Sequence, residues 1–262
     1  MNLAHQRPSG RPSPADTVTL CSLVLLAFAP VLHGLVLGGA GALLLATCLQ
    51  PARGDSGFSR AARSLVGALC LYFAAGPALM VWPAYLVAPL LAAALFGGLT
   101  GFGQDLRATV KRGRLGATEW LLVGAIAVVA GVALVGWTML LQPDLSGPLE
   151  MLPDWPLPAL VGAGLFFSVV NAVLEEVIWR GVLQQWLLTF LAPVWAVAIQ
   201  AVSFGAMHFT GFPSGWIGVG LAAIYGLMIG GLAVRSGGLL GPIVAHIAAD
   251  AVIFVILARS LA

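Results

Sequence analysis

Uncharged apolar runs long enough to cross a bilayer recur along this chain: residues 18–49, 64–100, 119–141, and an almost unbroken stretch from 157 to 258. A lipid-crossing segment must satisfy its backbone polar groups within itself, so runs of about 20 apolar residues dictate helices. Alternating ten-residue barrel strands are not visible. Charge agrees: only 8% of the 262 residues are charged and 60% are hydrophobic, too little charge to clothe a soluble globule. A net charge of +2, dispersed over the chain, leaves no footprint for nucleic acid. The expected fold is all-α, a polytopic transmembrane helical bundle of eight or nine membrane helices in a multi-pass integral membrane protein.

Punctuation divides the chain. Residues 1–16 are polar and rich in Pro and Ser and read as a disordered tail. The first apolar run is retained as one long tilted helix or two short ones. Arg53, Arg60 and Arg63 mark a connection, and Trp82-Pro83 breaks the second run into two passes. Arg107, Lys111, Arg112 and Arg114 make the most basic loop, placed in the cytoplasm by the positive-inside rule. The connector 142–156 carries acids and prolines but no Lys or Arg, as an external loop does. Further helices are expected near 157–189, 192–209, 216–234 and 239–258. Thus 17–156 forms the N-terminal membrane helices and 157–262 a core within the same membrane domain. Trp155, Trp186, Trp195 and Trp216 suit interfacial anchoring, and Cys21, Cys48 and Cys70 read as buried small hydrophobes.

Glu175, Glu176, Arg180, His208, His246 and Asp250 stand where lipid should be. Each acid or Arg at mid-bilayer costs about 2.5–3.5 kcal/mol on insertion scales, so these groups must face one another or a wet cavity. Glu176 and Arg180 are four apart, which suits a structural ion pair on one helix. Glu175 lies about 100° around that helix, shares a face with Asn171 and Trp179, and needs a partner from elsewhere. His246 and Asp250 share one face, as do Phe204 and His208. Counted from the flanking turns, Glu175 and His208 lie about 22 Å deep, Asp250 about 20 Å and His246 about 13 Å, so all four can converge. A carboxylate near an imidazole, with a His and Asp pair opposite, can deprotonate water and support an oxyanion.

In order, Glu175-Glu176-Val177-Ile178-Trp179-Arg180, Phe204-Gly205-Ala206-Met207-His208 and His246-Ile247-Ala248-Ala249-Asp250 resemble the motifs EExxxR, FxxxH and HxxxN/D of the CPBP family, the CAAX prenyl proteases type 2 and bacteriocin-processing enzymes, also called Abi. The resemblance covers residues 157–258. It implies a glutamate-type intramembrane endopeptidase in a prokaryotic cytoplasmic (inner) membrane, acting on a peptide or protein that is lipidated or membrane-anchored. Glu175 and His208 would activate water, His246 and Asp250 would support the oxyanion, and Glu176, Arg180 and Phe204 would organise the site. Asp250 stands where the pattern often has Asn, and as a carboxylate it can instead orient His246. No cofactor is expected. The rival is zinc held by Glu175, His208 and His246, although no HExxH helix is present. Two other classes share the buried charges: a proton-coupled transporter, for which inverted repeats are not visible, and a non-catalytic immunity or scaffold protein of the same fold.

Overall fold

The computed structural model describes residues 11–49, 56–76, 82–98, 107, 110–150, 152 and 154–260. Among these residues the chain is helical, without strands. The elements are α1 (Pro14–Leu26), α2 (Gly34–Leu49), α3 (Gly57–Ala75), α4 (Ala84–Gly97), α5 (Ala117–Leu141), the short α6 (Ser146–Glu150), α7 (Leu157–Glu176), a π-helical segment (Val177–Leu183), α8 (Gln184–Leu188), α9 (Pro193–Met207), α10 (Gly215–Ser236) and α11 (Leu240–Arg259). Among the described residues four rods are long and apolar enough to span a bilayer: Ala117–Leu141, Leu157–Leu187, Gly215–Ser236 and Leu240–Arg259. Shorter apolar helices accompany them. The outward faces are themselves apolar, with Leu121, Val132 and Leu140 of α5 and Leu165 of α7 exposed. In water these would be liabilities; against lipid tails they are the expected surface.

Local chemistry sets the boundaries. Ser13 Oγ accepts from the Asp16 amide and Asp16 Oδ2 accepts from the Ser13 amide, each at 3.1 Å, a capping box that starts α1 with Pro14 in its first turn. The helix therefore begins inside the stretch expected to be a tail to residue 16; residues 1–10 of that stretch lie outside the described residues. The first apolar run resolves into two short helices, α1 and α2. Arg60 and Arg63, expected in a connection, are inside α3. Arg60 Nε donates to the Phe96 carbonyl at the end of α4 (3.0 Å), and Arg63 is buried. Arg53 and the start of that connection lie outside the described residues. The basic loop meets the turn between α10 and α11: the Arg114 amide donates to the Ser236 carbonyl and the Leu239 amide to the Lys111 carbonyl, both at 2.8 Å. Both turns are thus on one side of the bundle.

Packing runs α1 on α2 and α3, α2 on α3, α3 on α4, α5 and α7 on α11, and α9 on α10. The α9–α10 crossing is close because Gly205 lacks a side chain. A Cβ there would lie 2.6 Å from the Val219 carbonyl oxygen and 2.8 Å from Ala223 Cβ. Since the obstacle is backbone, Gly205→Ala is expected to destabilise by about 1–3 kcal/mol, read as a lower melting temperature of the purified protein in detergent. Residue 205 follows Phe204, so the same crossing fixes the depth of the site. α1 is seated by distant partners: Trp186 Nε1 donates to Asp16 Oδ1 (3.1 Å) and Ser203 Oγ to the Leu23 carbonyl (3.2 Å). Trp186 is consequently buried, against the expectation of an interfacial anchor, whereas Trp155, Trp195 and Trp216 are exposed. Cys48 and Cys70 are buried as expected, but Cys21 is exposed.

Candidate functional site

The two adjacent glutamates end α7, where the chain passes without a break into the π-helical segment. The Gln184 amide bonds back five residues to the Trp179 carbonyl. A π turn holds more residues than an α turn, so every side chain beyond Val177 is displaced around the axis from where an α-helical count puts it. Within the segment Arg180 Nη1 donates to Glu176 Oε1 at 2.9 Å, the ion pair expected from the spacing, and both side chains are fully buried. The guanidinium lies 4.6 Å from the centre of the Phe204 ring, a cation–π contact from α9.

His246 enters from α11 and its main partner is Glu176, with Nδ1 and Oε1 2.7 Å apart. A carboxylate there accepts, so Nδ1 carries the hydrogen and Nε2 is the nitrogen left for the cavity. Nε2 stands 3.7 Å from Glu175 Oε2 and 3.7 Å from Asp250 Oδ1, too far for direct hydrogen bonds. His246 and Asp250 do share a face as expected, but the tight bond of His246 is to the glutamate that the spacing had paired with Arg180 alone. Glu176 thereby holds a cation on one side and an imidazole on the other.

Glu175 finds its neighbours on its own helix as well as on α11. Asn171 Nδ2 donates to Glu175 Oε1 (3.3 Å) and to Asp250 Oδ2 (3.2 Å), while Trp82 Nε1 donates to Asn171 Oδ1 (3.1 Å). Glu175 Oε2 is buried without a hydrogen-bond partner among the described residues. His208 closes the C-terminal end of α9, with Nδ1 3.0 Å from the Phe204 carbonyl. That carbonyl accepts, so Nε2 of the neutral ring keeps its lone pair. The Phe204 ring sits 4.7 Å from the His208 ring and 6.3 Å from that of His246, between the two imidazoles. Among the described residues Glu175 and His208 are not hydrogen-bonded to each other.

Glu175, His208, His246 and Asp250 nevertheless line one cavity of about 1370 Å³, walled elsewhere by aromatic side chains that include Trp82, Phe167 and Phe212. The cavity reaches the connector through Pro148 and Trp155. Its lining is mostly apolar with a few polar side chains, the arrangement of a site that admits an apolar chain and orients one polar bond. Among the described residues, no three His, Cys, Asp or Glu side chains are assembled as ligands for a metal, the set Glu175, His208 and His246 included. Sequence reasoning did not single out Trp82 and gave Asn171 no role. Asn171 was detectable as the polar residue four before Glu175, whereas nothing in the sequence links Trp82 to a residue 89 positions later.

Residues 157–252 match the family model for the Rce1-like type II CAAX prenyl endopeptidases. No curated protein and no solved structure matches the chain.

Proposed function

We propose, on the match of residues 157–252 to the Rce1-like type II CAAX prenyl endopeptidase model, that the chain cleaves a peptide bond of a membrane-anchored or lipidated substrate by a glutamate mechanism. The observation that carries this reading is the unpartnered Glu175 Oε2, buried in the wall of a cavity shared with His208, His246 and Asp250. Water between Glu175 Oε2 and the His208 Nε2 lone pair loses a proton to the carboxylate as its oxygen attacks the scissile carbonyl. His246, protonated at both nitrogens, offers Nε2–H to the oxyanion, and Asp250 backs that imidazole. As the C–N bond breaks, the proton held by Glu175 passes to the leaving amine. Glu176 and Arg180 organise the site, with Phe204 packed between the rings.

Zinc chemistry, the rival to this route, would draw on Glu175, His208 and His246 as ligands. The test is cleavage of a membrane-anchored peptide library by purified protein in detergent, with wild type, Glu175→Ala and His208→Ala, each with and without a strong zinc chelator. Wild-type cleavage is expected to persist with chelator, and His208→Ala to lower the rate by about 10²–10³-fold. Loss with chelator and recovery with zinc would make these residues ligands. Cleavage unchanged in both variants would remove the assignment and favour a transporter or scaffold.

A further inference from the structure

Glu175 and Asp250 come from different helices, α7 and α11, yet both carboxylates bond to a single nitrogen, Nδ2 of Asn171. Two buried carboxylates side by side repel each other unless a donor stands between them, and an amide NH₂ has one hydrogen for each. Asn171 and Asp250 are both buried. The orientation of that amide matters, because turned by 180° it would present a carbonyl oxygen to two carboxylates. The indole of Trp82 decides the orientation: an indole N–H can only donate, so the atom facing it must be Oδ1, and Nδ2 must then face the acids. Trp82 lies outside the residues that match the family model.

We propose that Asn171, oriented by Trp82, is the positioning residue of the site: its NH₂ group spans Glu175 Oε1 and Asp250 Oδ2 and thereby leaves Glu175 Oε2 as the oxygen directed at water. The proposal rests on the hydrolytic reading of Glu175. It also gives the N-terminal half of the chain a part in the chemistry, through one indole nitrogen. Asn171 acts through Glu175 and need not touch substrate, so its loss should appear in kcat and leave KM within about threefold.

Four variants and their combinations test it, measured beside wild type and an inactive Glu175→Gln control on a peptide substrate in detergent. Asn171→Leu is expected to lower kcat by about 100-fold. Trp82→Phe, which keeps a ring but removes the donor, is expected to lower kcat by about tenfold, and to cost nothing further in the Asn171→Leu background. Asn171→Asp replaces the shared donor with a third carboxylate and is expected to be at least as impaired as Asn171→Leu. Combined with Asp250→Asn, it keeps two carboxylates and one amide but moves the amide to the far side of position 171, so a carboxylate at 171 still faces Glu175 with no donor between them, and the exchange Asn171→Asp/Asp250→Asn is expected to stay within about threefold of Asn171→Asp. Should Asn171→Leu unfold, that exchange still decides the question, since it preserves the charge count and an acceptor for Trp82 while removing the donor that faces Glu175. A readout without substrate is the Trp82 indole N–H resonance, assigned by its loss in Trp82→Phe and expected to move upfield in Asn171→Leu.

Wild-type kcat in Asn171→Leu, or in the exchange variant, overturns the positioning role while the hydrolytic reading stands. No cleavage by wild type, or full activity in Glu175→Gln, overturns the hydrolytic reading and the positioning role with it. An indole resonance that ignores Asn171→Leu overturns the Trp82 contact alone.

Discussion

Glu175→Gln is expected to lower peptide cleavage by about 10³-fold while leaving the protein folded and at least as resistant to heat as the wild type. The two effects separate because of how the carboxylate is held. Oε1 accepts from Asn171, a bond that a glutamine carbonyl oxygen can keep, whereas Oε2 is buried without a partner. A buried charge with half its acceptor capacity unused costs folding free energy. Replacing it with a neutral amide of the same shape removes that cost together with the proton acceptor, the usual opposition between stability and activity at a functional site. A general base contributes about 10²–10⁴ in rate, which sets the expected loss. Initial rates on a membrane-anchored peptide and thermal melting in the same detergent check both halves. Loss of activity with an equal loss of thermal stability would mark Glu175 as structural.

The second large effect is at Glu176, and it is of the opposite kind. Its Oε1 takes Arg180 Nη1 at 2.9 Å and His246 Nδ1 at 2.7 Å, and both Glu176 and Arg180 have no exposed surface. Glu176→Ala strands a guanidinium whose Nε and Nη2 already lack partners among the described residues. Removing one member of a buried pair costs about 3–5 kcal/mol, because the charge left behind has neither water nor counter-ion. Unfolding of the variant by heat or by denaturing detergent is expected at markedly milder conditions than for wild type. Glu176→Ala combined with Arg180→Leu is expected to regain much of the lost stability, since the stranded charge is gone. Activity should stay low in that double variant, because His246 Nδ1 still lacks the acceptor that aims Nε2 at the cavity. Stability and activity that recover together would refute an orienting role for Glu176.

The helix order was readable because lipid imposes one rule on every apolar run, and the breaks at Ala192-Pro193 and Gly237-Gly238 fall between the observed helices α8, α9, α10 and α11. The Glu176–Arg180 pair was readable because both ends lie four residues apart. Arg60 and Arg63 misled, since a charge beside an apolar run looks like solvent; Arg60 in fact extends to the Phe96 carbonyl, which needs a donor at the end of α4. The π-helical segment left no mark in the pattern of side chains, because the choice between four-back and five-back bonding belongs to the backbone. Trp186 looked peripheral because tryptophan favours the interface, while its actual partner, Asp16, lies 170 residues away. His246 bonds to Glu176, 70 residues away, and Trp82 to Asn171, 89 away; a periodicity argument reaches only along one helix. What the spacing could supply was the convergence of four depths, and all four residues do line one cavity.

The seat of α1 sets an order of events during synthesis. Its two hydrogen-bond partners on α8 and α9, Trp186 and Ser203, emerge 170 and 180 residues after the groups they hold. At about 5–20 residues per second, α1 waits roughly 10–35 seconds for them on the ribosome. During that interval only α2 and α3, the other helices it packs against, can shelter it. α1, made before the other described helices, is therefore among the last of them to be locked, and a nascent chain stopped short of Trp186 carries Asp16 with no indole to receive.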